Sequence, residues 1–204
     1  MDYLNFFKSS LNVIYDRGTD FVNYYFLSAS NEEDDRPIRG GFKKRVYSTL
    51  PRLDQIHTFF STPTHIIDNI YLGSAFNAAH FDSMNELNIG LIINMTSEIS
   101  NYHSDKILYK KYPIYDNNSE SIKPYLEKIY DQIISYQELN NNKNIFIHCF
   151  MGASRSATVV AYYLMRKHKY NVDDAIKFMK QKRNVVNPTM LFYEELNEIE
   201  KMLN

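Results

Sequence analysis

Nine consecutive residues, His148-Cys149-Phe150-Met151-Gly152-Ala153-Ser154-Arg155-Ser156, constrain this chain more than any other stretch. The apolar run Asn144-Ile145-Phe146-Ile147 precedes them, and a helical-looking run begins near Ser156. The order reads as strand, tight loop, helix N-terminus. Within the loop, five residues separate a cysteine from an arginine. Gly152 and Ala153 let backbone approach backbone, so that successive N–H groups turn inward. Such a loop at a helix N-terminus binds anions, and its size suits a phosphate. The loop residues Phe150, Met151, Gly152, Ala153 and Ser154 would supply the backbone N–H groups. Arg155 adds a planar fork able to grip two phosphate oxygens. A helix N-terminus and a nearby cation favour the thiolate of a cysteine. A Cys149 thiolate beneath a bound phosphate is a nucleophile aimed at phosphorus. The plainer reading, a structural cysteine beside a chance arginine, leaves the rest of the loop unexplained.

Composition narrows the setting. The 204 residues suffice for one sizeable core plus an appendage. The net charge of −1 provides no field that would draw the chain to nucleic acid or to an anionic membrane. No apolar run approaches the roughly 18–20 residues needed to span a bilayer. The opening residues Met1 to Lys8 lack the basic start and apolar stretch of a signal peptide. With one cysteine, neither an internal disulfide nor a cysteine zinc cluster can form. A reducing compartment, cytoplasm or nucleus, is the expectation. His57, His65, His80, His103 and His168 show no ligand spacing, so neither metal nor cofactor is expected.

Along the chain, residues 1–62 read as a separate extension. Phe6, Phe7, Leu11, Ile14 and Tyr15 recur at helical spacing, as do Phe21, Tyr24 and Tyr25. A charged linker follows, acidic at Glu32 to Asp35 and basic at Lys43 to Arg45. A homodimer formed through this extension is one expectation. The second region, residues 63–204, alternates strands and helices. His65 to Ile67 and Ile70 to Gly73 read as strands about a turn at Asp68-Asn69. Short helices follow at Ser74 to His80 and Ser83 to Leu87. Leu91 to Met95 and Ile107 to Ile114 read as strands. Residues 121–139 carry Ile122, Tyr125, Ile129, Ile133 and Tyr136 on one helical face. After the strand at Ile145 and its loop comes a helix to about His168. Asn171 caps a helix to about Lys182, and Pro188 opens the last helix, through Leu203. The pattern predicts an α/β fold: a central, mostly parallel sheet of about five strands flanked by helices.

His-Cys-x-x-Gly-x-Ser-Arg-Ser resembles the signature loop of the cysteine-based dual-specificity protein phosphatases. Asn69 to Ser74, Ile92 to Thr96 and Ala161 to Met165 also resemble landmarks of that family. One departure is Asn187-Pro188-Thr189, where members often carry Pro-Asn. The resemblance implies a phosphatase that hydrolyses phosphotyrosine and phosphoserine or phosphothreonine of a phosphoprotein through a phosphocysteine. Asp116, just after a strand and 33 residues before Cys149, matches the family's general acid. Asp105 and Glu98 are its rivals. Arg155 would stabilise the transferring phosphoryl group. Ser156 would donate a hydrogen bond to the Cys149 sulfur, cap the helix, or both. His148 reads as a brace for the loop rather than a base. The loop lacks the lysines that phosphoinositide phosphatases often carry there, and the Arg-Thr pair usual in enzymes of RNA 5′ ends. Those two substrate classes, and a phosphoprotein-binding module without turnover, are the alternatives.

Overall fold

β5 (Asn144–His148) buries Ile145, Phe146 and Ile147 completely because it lies at the centre of the sheet, covered on both faces. The structure, a computed structural model, describes residues 58–116 and 119–203. The helices and linker expected in residues 1–57, and the dimer expected through them, lie outside the described residues. The sheet has five strands in the order β1-β2-β5-β3-β4: β1 (Thr64–Ile67), β2 (Ile70–Gly73), β3 (Ile89–Asn94) and β4 (Leu108–Lys111) join β5. β1 runs antiparallel to β2, and the other three pairings are parallel. The expected mostly parallel sheet is therefore what forms. The hairpin between β1 and β2 turns at Asp68, whose φ of 48° an aspartate tolerates better than most residues.

Six helices lie wholly within the described residues. The short α1 (Ala75–Ala79) is capped by Ser74 and followed by α2 (Phe81–Glu86). α3 (Lys123–Leu139) takes Pro124 in its first turn and buries Leu126, Ile129 and Ile133. α4 (Arg155–His168) is buried from Arg155 to Met165, packing on β2 and β5 and surrounded by α3, α5 (Val172–Lys182) and α6 (Met190–Leu203). Each isoleucine that β5 removes from water contributes about 1.5–3 kcal/mol. The rigid β5–α4 unit thus carries the loop between them.

Several element boundaries differ from expectation, two of them with a visible cause. β4 stops at Lys111 instead of continuing to Ile114. The Tyr112 N–H still bonds Asn94 O at 2.8 Å, but Pro113 has no N–H to extend the ladder, and the chain leaves the edge. α6 begins at Met190 rather than at Pro188. The Asn187 N–H is committed to Ala153 O at 2.7 Å and the Thr189 N–H to Ser154 Oγ at 3.2 Å, so the helix starts after them. Packing also continues upstream of residue 63. Phe59 is buried, its ring centroid 5.4 Å from that of Phe150 and 6.1 Å from that of Phe76, and Ser74 Oγ donates to Phe59 O at 2.7 Å.

Candidate active site

The loop after β5 is held from outside by its carbonyls. His148 O accepts from Met95 N at 2.9 Å, and Phe150 O from Ala75 N at 2.9 Å. Met151 O and Gly152 O accept from Arg183, Ala153 O from Asn187 N, and Ser154 O from Thr158 N at 2.8 Å. In a trans peptide the C=O of one residue and the N–H of the next point opposite ways. Carbonyls tied outward therefore turn the following N–H groups inward. Gly152 N illustrates this by donating to Cys149 Sγ at 3.3 Å. Gly152 sits at φ +69°, and a Cβ there would come within 2.3 Å of Gly73 O, so only glycine fits.

Cys149 is 1% exposed, at the floor of the loop rather than at an open surface. Ser156 Oγ donates to its sulfur at 3.2 Å. Ser156 is the second residue of α4 and does not cap it, which removes the capping alternative. Arg155, the first residue of α4, is 3% exposed. Its Nη1 donates to Glu98 Oε2 at 3.0 Å and to Ile114 O at 2.9 Å, and its Nη2 pairs with Glu98 Oε1 at 2.8 Å. The buried Nε has no hydrogen-bond partner and stands 3.6 Å from Asp116 Oδ2. Burial works against the guanidinium charge, but the Cys149 sulfur and Glu98 outweigh it and raise the Arg155 pKa. One edge of the fork is thus clamped by Glu98, while Nε is unspent.

Asp116 reaches this site by the path that Pro113 opens at the end of β4. Its Oδ1 accepts from Ser154 Oγ at 2.7 Å, and that hydroxyl in turn accepts from Thr189 N. The Asp116 side chain is 34% exposed, so one carboxylate is both oriented and reachable from solvent. A sulfur at the floor of such a loop with a carboxylate alongside is an arrangement that could do nucleophilic and general acid chemistry on a bound phosphate ester.

The model of the dual specificity phosphatase catalytic domain matches residues 70–202. The chain belongs to the dual specificity phosphatase family. Dual specificity protein phosphatase 1 of Homo sapiens is 33% identical over 141 residues, which are 69% of this chain and 38% of that protein. The chain therefore spans well under half the length of the curated relatives it matches. The crystal structure of human DUSP28 aligns with a TM-score of 0.64 at 22% identity, over 69% of this chain and 96% of that one, and is similar in fold. That of DUSP15 aligns with a TM-score of 0.64 at 27% identity, over 68% and 87%.

Within this dual specificity phosphatase domain, the rivals of Asp116 separate. Asp105 is exposed in the turn before β4. Glu98 is committed to Arg155: burial would raise its pKa, but the hydrogen bonds and charge of Arg155 prevail and hold it below the usual carboxylate range. A carboxylate held ionised is a poor proton donor, and both Glu98 oxygens are instead engaged by Arg155. Glu98→Ala is expected to cost about 1.5–3 kcal/mol of stability, the scale of a hydrogen bond to a charged group. It should also lower kcat/KM about tenfold by loosening the fork. Thermal unfolding and steady-state kinetics check this, with Asp105→Ala as the silent control.

His148, expected as a brace, is buried at the end of β5 beside the loop. Its Nδ1 lies 3.2 Å from Cys149 O, a contact in which Nδ1 carries the proton, and its ring stacks on Phe146 at 5.6 Å. Nε2 is buried without a partner. Burial pulls the His148 pKa from 6.5 to about 4, against the opposing Cys149 carbonyl, so the folded ring is neutral. The unfolded chain therefore binds this proton before the folded one does. Stability is unaffected above pH 6.5 and falls as the pH drops from 6.5 toward 4. The loss from this group approaches about 3 kcal/mol at the acid end. His148→Asn should flatten that part of a Tm-against-pH curve, and an unchanged slope would refute the assignment.

Two charged groups at the site were not singled out for these roles in the sequence. Glu98 follows Thr96-Ser97 like a surface residue, and Arg183 ends the basic run Lys180-Gln181-Lys182. No local signal separates them from solvated charges.

Proposed function

We propose that this chain is a protein phosphatase that hydrolyses phosphotyrosine, phosphoserine and phosphothreonine through a phosphocysteine at Cys149. The observation that carries the reading is the sulfur at the floor of the loop, accepting from Gly152 N–H and Ser156 Oγ, with Arg155 and Asp116 at its edge. Cys149 attacks phosphorus and forms the S–P bond as the P–O ester bond breaks. Asp116 gives its proton to the leaving oxygen, then takes one from the water that cleaves S–P and releases inorganic phosphate. Ser156 hydrogen-bonds the departing sulfur, and Arg155 stays on the phosphoryl oxygens.

Phosphoprotein as the substrate class is supported by the side chains of the loop and its surroundings. Phe150, Met151, Ala153 and Ser154 carry no charge to meet a second phosphate, and the exposed ring of Tyr115 precedes Asp116. Among the described residues no helix is long and apolar enough to cross a membrane. A thiol nucleophile with no second cysteine suits a reducing compartment, cytoplasm or nucleus. The test is a panel of phosphopeptides, RNA with a 5′-triphosphate, and phosphoinositides. Phosphopeptide turnover at least tenfold above the others is the expected result. Preference for either other class reassigns the substrate, and tight phosphopeptide binding without turnover makes the chain a binding module.

A further inference from the structure

The connection between α5 and α6 closes the outside of the phosphate loop, and Arg183 is its central contact. The Arg183 Nε donates to Gly152 O at 3.0 Å and Nη2 to Met151 O at 2.8 Å, while Nη1 lies 3.4 Å from Thr64 Oγ1. Four residues on, Asn187 N–H donates to Ala153 O. Three successive loop carbonyls are thus held by one segment. Arg183 is 1% exposed, and among the described residues no carboxylate lies within ion-pair distance of it. Burial lowers its pKa to about 10, opposed by the Cys149 sulfur, so it remains a cation at neutral pH. A buried cation without a carboxylate partner is costly. A residue serving only to fasten α5 to the domain needs no such charge. What the guanidinium supplies is a rigid fork matching two adjacent carbonyls, which neither a lysine nor an amide reproduces.

We propose that Arg183 is a positioning residue for phosphoryl binding and transfer, fixing the two peptide planes whose N–H groups belong to Gly152 and Ala153. One of those N–H groups also donates to Cys149 Sγ, so the same plane orients phosphate and sulfur. The positive charge stands directly behind the anion site and strengthens both dipoles.

This rests on the phosphatase reading, and the experiment keeps the two apart by measuring binding as well as turnover. Orthovanadate affinity, read from the vanadate-dependent rise in Tm, is measured for the full chain and for Arg183→Met and Arg183→Lys. Hydrolysis of 4-nitrophenyl phosphate is measured alongside. Arg183→Met is expected to bind vanadate about 10²-fold more weakly and to lose about 10²–10³-fold in kcat, the scale of a lost oxyanion donor. Arg183→Lys, a charge without the fork, should fall between. A purely structural role predicts a lower Tm with wild-type vanadate affinity and wild-type kcat per folded molecule, and that result overturns the proposal. If Arg183→Met does not fold, Arg183→Lys decides: binding at least tenfold weaker supports the proposal, and wild-type binding overturns it. A wild-type chain that binds vanadate but turns nothing over refutes the phosphatase reading and leaves the Arg183 comparison intact.

Discussion

Cys149→Ser is expected to remove turnover of 4-nitrophenyl phosphate by about 10⁵–10⁶-fold, the scale on which deleting a nucleophile acts in hydrolases. The loss is chemical rather than structural. A serine hydroxyl is nearly isosteric with the thiol and can keep the contacts from Gly152 N and Ser156 Oγ, but it does not ionise near neutral pH. The carbonyl anchoring of the loop and the Glu98 clamp on Arg155 do not involve the sulfur. The variant should therefore still bind phosphate esters and hold a slowly released phosphopeptide complex. Two measurements check this: turnover, and phosphopeptide binding by the folded variant. Activity within tenfold of wild type would mean that sulfur is not the nucleophile. Loss of binding together with loss of turnover would mean that the thiol also organises the loop.

Asp116→Asn is expected to slow hydrolysis of phosphoserine and phosphothreonine peptides by about 10²–10⁴-fold, the range for a general acid. The effect should shrink for 4-nitrophenyl phosphate, whose leaving group hardly needs a proton. Asparagine keeps an oxygen able to accept from Ser154 Oγ, so the substitution tests the proton more than the position. The decline of rate at alkaline pH, which reports loss of the acid's proton, should flatten in the variant. Equal losses for good and poor leaving groups would assign Asp116 to binding instead. A large loss in Asp105→Asn with none in Asp116→Asn would move the acid to the turn before β4.

The parts of this protein legible in its sequence are those whose causes lie within a few residues. The buried run Ile145 to Ile147 reads as a central strand because apolarity on both faces is a local pattern. Ser74 and Asn171 mark helix starts through their own side chains, which accept from Asn77 N and Asp174 N. The loop from Cys149 to Arg155 is contiguous, so its anion-binding shape and its sulfur–guanidinium pairing are visible together. The late start of α6 has its reason elsewhere in the fold: Asn187 and Thr189 spend their N–H groups on the loop.

What only the tertiary structure decided is which distant side chains meet that loop. Placing β5 between β2 and β3, with β3 and β4 parallel to it, brings the ends of these strands to one edge. That edge collects Glu98 from beyond β3, Asp116 from beyond β4 and Arg183 from the end of α5. The sequence could nominate Asp116 by its spacing, but not the Ser154 hydroxyl that orients it. Glu98 and Arg183 have the neighbours of surface charges and acquire their roles only through burial against chain remote in sequence. Periodicity and caps are local properties of a chain, whereas the partner of a buried charge is set by strand order. So the chain itself nominates Cys149 and the loop that follows it, and the fold selects the groups that hold them in place.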